Sequence, residues 1–161
     1  MRGKDGDDVL RGRPGKDRLV TGPGTDHAYG GGGNDLDIDG GDGGDRLYGG
    51  LGEDALRGLP GEDVLHGDPG GDTIFGGRGD DAAHGGDGDD RFNQSEFSYS
   101  NRGSDEYHGK AGNDTNSATE AYGDPDGKRD EVSCGEGTDR VYASPEDFVA
   151  DDCEDVRILE F

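Results

Sequence analysis

The feature that most constrains this chain is a nine-residue unit that recurs from residue 3 to residue 93. Two adjacent copies, 76–84 and 85–93, display it clearly, because each begins with two glycines and carries Gly-x-Asp at its fourth to sixth positions. Ten consecutive copies can be aligned in this way. Self-similarity at a fixed period predicts a solenoid, in which each turn packs against its neighbours.

Four positions define the unit. The first is glycine in every copy but one, where Thr21 stands. The fourth is always glycine: Gly6, Gly15, Gly24, Gly33, Gly43, Gly52, Gly61, Gly70, Gly79 and Gly88. The sixth is always aspartate: Asp8, Asp17, Asp26, Asp35, Asp45, Asp54, Asp63, Asp72, Asp81 and Asp90. The eighth is mostly apolar: Leu10, Leu19, Ala28, Leu47, Leu56, Leu65, Ile74, Ala83 and Phe92.

This spacing indicates a turn followed by a very short strand. Six residues rich in Gly, Pro and Asp form a turn, since glycine tolerates the positive φ values that turns need. The last three residues, such as Arg46-Leu47-Tyr48, place one apolar side chain between two polar ones, which is typical of a strand with one buried face. Two units therefore make one coil, and stacked coils give two parallel sheets with the eighth positions between them.

The composition indicates that such coils need an additional source of stability in order to fold. Only 26% of the residues are hydrophobic, 35 are glycine and the net charge is −23, which by itself is close to the composition of a disordered chain. One buried apolar side chain per unit offsets little of the ordering entropy, and aligned aspartates repel one another. A divalent cation held between successive turns would remove both problems.

The same charge restricts the partners of the chain. Nucleic acid and anionic membrane surfaces would be repelled, and cations attracted. No apolar run approaches the length of a membrane span, and the first residues lack the apolar core of a secretory signal peptide. We therefore expect export by another route, or a fragment of a longer chain. The aspartates are explained as ligands, and no nucleophile elbow, His-Glu-x-x-His helix or phosphate-loop lysine accompanies them, so we expect no enzyme.

The unit resembles the calcium-binding nonapeptide Gly-Gly-x-Gly-x-Asp-x-U-x of RTX, or hemolysin-type, proteins, over residues 3–93. The resemblance implies an all-β fold, a right-handed parallel β-roll (β-solenoid) of nonapeptide repeats with a C-terminal capping segment. It implies about eight calcium ions between turns on the same side of the roll, bound by oxygen ligands. The implied ligands are the ten sixth-position aspartates and main-chain carbonyls of turn glycines, for which Gly33, Gly43, Gly52, Gly61, Gly70, Gly79 and Gly88 are the candidates.

Two departures from the pattern carry further expectations. The second position holds Lys4, Arg13, Leu59 and Asp68 where the family prefers glycine, which leaves the fold but weakens the case for some sites, especially N-terminal ones. The fourth unit, 30–39, is one residue too long, and we expect a bulge that turns Ile38 inward in place of Asp37. An EF-hand reading of 35–46 fails because its twelfth residue is not glutamate, whereas an extra calcium contact from Asp37 or Asp39 stays open.

The ninth positions of alternate units form an outward column. It brings Tyr29 next to Tyr48, and His66 next to His84, about one strand spacing apart. Two interpretations of the histidines are open: a solvated outer face, or a transition-metal contact for which no third ligand is visible. The two tyrosines read as cross-strand stacking or as a carbohydrate platform.

Beyond residue 93 the period weakens. Residues 94–108, with Phe97, Tyr99 and Tyr107, are expected to be an irregular insert or a cap over the end of the roll. Residues 109–161 are expected to be degenerate repeats with a C-terminal cap, with a calcium site near Asp114 or Asp139. A Cys134–Cys153 disulfide is expected there, because it fits an oxidising compartment.

Together these features favour a secreted, extracellular, non-catalytic module that folds on binding calcium, exported through a type I system. The alternatives are an extracellular adhesion or surface-layer module with a glycan or protein partner, and the C-terminal fragment of a secreted toxin or hydrolase. We expect a monomer or part of a larger chain.

Overall fold

A computed structural model describes residues 1–92, 103–117 and 128–159. Within these ranges there are sixteen strands and no helix. In chain order they are β1 (Val9–Arg11), β2 (Arg18–Val20), β3 (His27–Gly32), β4 (Asp37–Asp39), β5 (Arg46–Leu51), β6 (Ala55–Pro60), β7 (Val64–His66), β8 (Thr73–Arg78), β9 (Ala82–Asp87), β10 (Arg91–Phe92), β11 (Glu106–Ala111), β12 (Thr115–Ser117), β13 (Glu131–Glu136), β14 (Arg140–Ala143), β15 (Phe148–Val149) and β16 (Asp155–Ile158).

The strands alternate between two parallel sheets. The odd-numbered strands form one eight-stranded sheet in sequential order, and the even-numbered strands form the other. Each strand pairs with the strand two further along the chain, so that Leu47 lies beside Ala28 on one side and Leu65 on the other. Two nine-residue units therefore make one coil, and the fold is a parallel β-roll, as the sequence predicts.

The core is a double row of eighth-position side chains between the sheets. From Leu10 to Phe92 these positions are at most 5% exposed. Tyr107, Val132 and Val141 continue the rows beyond the ten regular units. Asn116 occupies one such inward position and is also buried. Tyr107 meets Phe92 edge to face at 5.9 Å, so it fills the core instead of covering an end of the roll.

The fourth unit accommodates its extra residue as expected. The backbone N–H of Leu36 donates to the carbonyl of Asp17, while Asp37 pairs in register with Arg18, so two residues stand where other units have one. Ile38 is fully buried and pairs with Leu19 and Leu56, and Leu36 is exposed. The bulge thus keeps the core row intact.

The irregular segment expected at 94–108 ends earlier. Gly103 and Asp105 occupy the fourth and sixth positions of a further turn, and β11 begins at Glu106. Residues 103–108 therefore belong to the roll, because the local Gly-x-Asp signature restores the register. Phe97 and Tyr99 lie outside the described residues. Cys134 in β13 is joined to Cys153 by the expected disulfide.

Candidate metal centre

The sixth-position aspartates form two columns, one along each row of turns. The first column runs through Asp8, Asp26, Asp45, Asp63, Asp81, Asp105, Asp130 and Asp147. The second runs through Asp17, Asp35, Asp54, Asp72, Asp90, Asp114 and Asp139 and ends in Glu154. All ten predicted aspartates lie in these columns.

One oxygen of each carboxylate reaches back to the preceding turn. Oδ1 of Asp81 accepts the backbone N–H of Asp63, and Oδ1 of Asp63 accepts that of Asp45. From Asp8 to Asp139 these N···O distances are 2.6–2.9 Å. The ladder fixes every carboxylate between two turns and pairs Asp81 with the turn of Asp63, and Asp90 with that of Asp72.

The second carboxylate oxygen is the chemically unusual atom. Among the described residues, buried Oδ2 atoms without a hydrogen-bond partner belong to Asp26, Asp35, Asp45, Asp54, Asp63, Asp72, Asp81, Asp90, Asp114 and Asp139. A buried anionic oxygen without a hydrogen-bond donor destabilises a fold. A regular array of such oxygens therefore requires one shared explanation. A cation that binds them supplies one.

Glycines bring main-chain oxygens into the same turns. A Cβ atom on Gly79 would collide with the carbonyl oxygen of Gly61, one turn earlier on the same side. A Cβ atom on Gly58, a first position, would collide with Oδ2 of Asp63 in its own unit. Adjacent turns therefore approach with carbonyl and carboxylate oxygens between them, and a Cβ atom at either of these two glycines would collide with one of those oxygens.

Burial makes these carboxylates weak acids in the metal-free chain. It raises the pKa of Asp63 to about 7 and that of Asp81 to about 8. Neighbouring carboxylates of the column raise them as well, whereas the accepted backbone N–H lowers them. The pKa is raised to about 7 at Asp72 and Asp90 and to about 6 at Asp45, Asp54 and Asp114, again mainly by burial. The carboxylate columns therefore favour the binding of protons or cations.

The donor set fits a hard cation. Carboxylate and carbonyl oxygens are the ligands that Ca²⁺ prefers, and it accepts six to eight of them in flexible geometry. A softer metal would need nitrogen or sulfur ligands, which the turns do not offer. The unpartnered Oδ2 atoms, the converging carbonyls and the net charge of −23 all agree with calcium.

The first member of each column differs from the rest. Oδ2 of Asp8 accepts the backbone N–H of Lys4, and Oδ2 of Asp17 accepts that of Arg13, both at 2.7 Å. Lys4 and Arg13 occupy second positions, where the sequence departs from glycine. Their backbone N–H groups bond the Oδ2 atoms of Asp8 and Asp17, whereas the corresponding atoms from Asp26 to Asp90 have no hydrogen-bond partner.

Other second-position departures leave the backbone unchanged. Leu59 has φ of 83° and Asp68 of 70°, in the left-handed region that glycine favours. The turn therefore keeps its backbone conformation at both residues, at the cost of the steric strain that a Cβ atom causes in the left-handed region.

Asp37 and Asp39, considered above as extra calcium contacts, are engaged by arginines. Asp37 pairs with Arg18 at 2.7 Å and with Arg57, which also reaches Asp39 at 3.3 Å. Because Ile38 points inward, these carboxylates lie on the outer face of the second sheet. Both acidic side chains thus have arginine partners. No helix flanks this stretch in the described residues, which excludes the EF-hand reading.

The outward column of the first sheet is a continuous stack. The Arg11 guanidinium lies 4.9 Å from the centroid of the Tyr29 ring. The rings of Tyr29, Tyr48, His66, His84 and His108 follow with centroid distances of 4.6–5.0 Å and interplanar angles of 4–13°. The predicted tyrosine and histidine neighbours are therefore confirmed, and the structure adds His108.

Sequence reasoning missed several members of these arrays. Asp105, Asp147 and Glu154 extend the carboxylate columns, and His108 extends the ring stack. Two local signals point to them: Gly103-Ser104-Asp105 repeats the spacing of the fourth and sixth positions, and His108 precedes the first-position Gly109. The period alone could not find them, because 24 residues separate Asp81 from Asp105 where regular turns have 18.

Nothing in the described residues meets the length and apolarity that a membrane-crossing helix requires. A comparison with curated proteins gives no significant match. The family model for the RTX calcium-binding nonapeptide repeat matches four segments, residues 2–37, 39–73, 66–93 and 99–115. These segments cover most of the chain and contain both carboxylate columns as far as Asp114. The chain belongs to the RTX calcium-binding nonapeptide repeat family, and its repeats bind calcium.

Proposed function

We propose that this chain is a secreted module that folds when it binds extracellular calcium and that has no catalytic activity of its own. The supporting observation is the regular array of buried Oδ2 atoms without hydrogen-bond partners. Without a cation, these atoms oppose folding, and with one they link each turn to the next. The ion is then part of the fold, and its binding free energy becomes folding free energy.

The proposed ligands are those expected from the sequence. They are the sixth-position carboxylates from Asp8 to Asp90, with Asp8 and Asp17 contributing least, and the carbonyl groups of Gly33, Gly43, Gly52, Gly61, Gly70, Gly79 and Gly88. About eight ions between the ten regular units would add about 16 positive charges to a chain of net charge −23. Asp114 and Asp139, whose Oδ2 atoms also lack a hydrogen-bond partner, offer further positions for the same chemistry.

Secretion follows from the calcium requirement. Cytosolic calcium is too low to fill weak oxygen sites, whereas extracellular modules work at about 10⁻⁴–10⁻³ M. The chain would remain unfolded and competent for export inside the cell and fold outside. The Cys134–Cys153 disulfide supports an oxidising destination. A type I route agrees with this order of events.

The adhesion alternative has less support. Arg11 and Tyr48 cover the two faces of the Tyr29 ring, and Tyr29 and His66 cover those of Tyr48. Sugar rings stack on free aromatic faces, which neither tyrosine offers. The pair therefore acts in sheet cohesion, in the manner of cross-strand aromatic neighbours.

The decisive experiment is a calcium titration of the full chain followed by circular dichroism, with the ion stoichiometry measured in parallel. We expect a disordered spectrum in chelator and a cooperative gain of strand signal at millimolar calcium. Magnesium is the matched control, because it retains its water and demands octahedral geometry, and it should not restore the fold. A chain that is already a cooperatively folded sheet in chelator would contradict the proposal.

A further inference from the structure

The apolar row of the second sheet is interrupted by one polar side chain. Asn116 pairs in register with Phe92 on one side and Val141 on the other, and it is 4% exposed. Among the described residues, neither its carboxamide nitrogen nor its carboxamide oxygen has a hydrogen-bond partner. A buried carboxamide without partners destabilises a fold, so this position requires an explanation.

A small cavity adjoins the Asn116 side chain. Its volume is about 10 Å³, and Asp114, Ser133, Cys134 and Asp139 contribute to its lining. A cavity holds one water molecule when its volume reaches about 10–15 Å³ and it offers two to four polar partners. The space and the polar lining therefore suit a ligand with the size and chemistry of one water molecule.

The geometry of the repeat brings an inward side chain close to a carboxylate. In the fourth unit, a Cβ atom on Gly30 would collide with Oδ2 of Asp35 and would lie 2.9 Å from Cδ1 of Ile38. The end of the inward side chain and the carboxylate oxygen are therefore neighbours in that unit. Asn116 and Asp114 hold the corresponding positions of a later unit, and the carboxamide atoms of asparagine are as far along the side chain as Cδ1 of isoleucine.

We propose that Asn116 binds one ordered water molecule in this cavity, together with Oδ2 of Asp114 and Oδ2 of Asp139. Both Oδ2 atoms are buried and have no hydrogen-bond partner among the described residues. The water accepts a hydrogen bond from Nδ2 of Asn116 and donates one to each carboxylate, because a carboxylate is a stronger acceptor than the neutral carboxamide oxygen. About three hydrogen bonds are typical of a buried water molecule.

This water does not compete with calcium. A carboxylate oxygen has more than one lone pair, so Oδ2 of Asp114 can bind a cation in the turn and also accept a hydrogen bond from the water. Leu56 and Ile74, which precede Asn116 in the same row, are fully buried and fill their space with carbon atoms. The water therefore belongs to the layer of Asn116, where it connects the core row to the second carboxylate column.

The test uses the full chain folded in saturating calcium. Magnetic relaxation dispersion of the solvent ¹⁷O and ²H nuclei counts the long-lived water molecules of the wild type and of Asn116→Leu. Leucine fills most inward positions of the roll, so this variant should fold, and its count should be lower by one. In the wild type, water–protein cross-relaxation spectra should also show a long-lived contact to the Nδ2 protons of Asn116.

Two controls make the result specific. The exposed Asn113, whose carboxamide donates to Asp89 at 3.2 Å, is the reference within the same spectrum and should show no long-lived contact. Ser133→Ala removes a hydroxyl group that lines the cavity, because a hydroxyl proton that exchanges with solvent can imitate a bound water. The contact at Asn116 should survive this change. A contact that Ser133→Ala abolishes, or an unchanged water count in Asn116→Leu, would overturn the proposal.

Discussion

The ten regular units and the turns that follow residue 103 share a backbone but differ in how their carboxylates are satisfied. In eight of the ten regular units, Oδ1 holds the preceding turn and Oδ2 has no hydrogen-bond partner, as at Asp63, and Asp114 and Asp139 keep this pattern. At the C-terminal end, both oxygens of Asp147 accept backbone N–H groups, from Asp130 and Ser144. Glu154 ends the other column by accepting the N–H of Asp139.

The C-terminal turns also contain further stabilising groups. The disulfide ties β13 to the segment before β16, and Arg140 forms an ion pair with Asp155 at 3.0 Å. Tyr107 fills a core position that nine of the regular units fill with Leu, Ile or Ala and the tenth with Phe92. On the proposed function, the regular units depend on cations, whereas at the C-terminal end a disulfide and hydrogen bonds to both oxygens of Asp147 provide the links between turns.

The largest expected effect concerns protons as substitutes for calcium in the regular units. Burial raises the pKa of Asp63 to about 7 and that of Asp81 to about 8, so the metal-free folded state binds protons that the unfolded state has released. The resulting stability is present below the unfolded-state pKa, near 4, and is lost as pH rises through about 6–8. In chelator, strand signal should therefore be stronger at about pH 5 than at about pH 8.

Histidines act in the opposite direction with less weight. The pKa of His66 and His84 is lowered, mainly by burial, so their contribution is lost as pH falls from 6.5 toward about 4. Because the buried carboxylates outnumber the two imidazoles, the net change of stability with pH should follow the carboxylates. Circular dichroism of the calcium-free chain at each pH measures this change. Equal or greater strand content at the higher pH would show that the buried carboxylates do not limit folding.

The disulfide provides the second test. Replacing both Cys134 and Cys153 by serine opens a loop with a sequence separation of 19, which should lower the free energy of unfolding by about 3 kcal/mol. In calcium-saturated protein, amide hydrogen exchange should accelerate in β13, β14 and β16 and change little in β3 to β9. Reduction of the wild-type chain is the matching control. A uniform loss of protection would mean that the two regions unfold as one unit.

A paired substitution compares the carboxylates directly. Asp63→Asn removes a charge from a proposed ligand, and loss of one ion costs about 2.7 kcal/mol when calcium is at about 100 times its Kd. Asp147→Asn weakens ordinary hydrogen bonds and should cost about 1–2 kcal/mol. Calcium stoichiometry, measured by equilibrium dialysis, should fall for the first variant and stay constant for the second. The same stoichiometry for both would remove the distinction between the two kinds of carboxylate.

The sequence predicts most of the roll because the period of the repeat determines which strands pair and in which register. Residues spaced by one coil must pair, so Leu47 necessarily lies beside Leu65, and Asp45 beside Asp63. This logic fails where the spacing changes, which is why Asp105 and His108 were not placed in their columns. The ion pairs of Asp37 were also unpredictable, since a single extra residue decides which face each side chain of that unit occupies.

The smallest expected effect tests what the two regions have in common. Leu59 in the regular units and Lys110 in the later turns both occupy second positions, with φ of 83° and 87°. A left-handed conformation costs a non-glycine residue roughly 1–2 kcal/mol, and the greater freedom of an unfolded glycine returns about 0.4–1 kcal/mol of that. Leu59→Gly and Lys110→Gly should therefore each raise the free energy of unfolding by about 0.5 kcal/mol in saturating calcium.

Leu36→Gly is the matched control for this pair, because Leu36 is 67% exposed and lacks a positive φ. Glycine there should lower the free energy of unfolding by about 0.5–1 kcal/mol. Denaturant unfolding monitored by circular dichroism resolves the signs of the three changes. Agreement between Leu59→Gly and Lys110→Gly would mean that the backbone requirement persists along the whole roll even where the carboxylate chemistry changes. Destabilisation by both would mean that their side chains contribute more than the strain they carry.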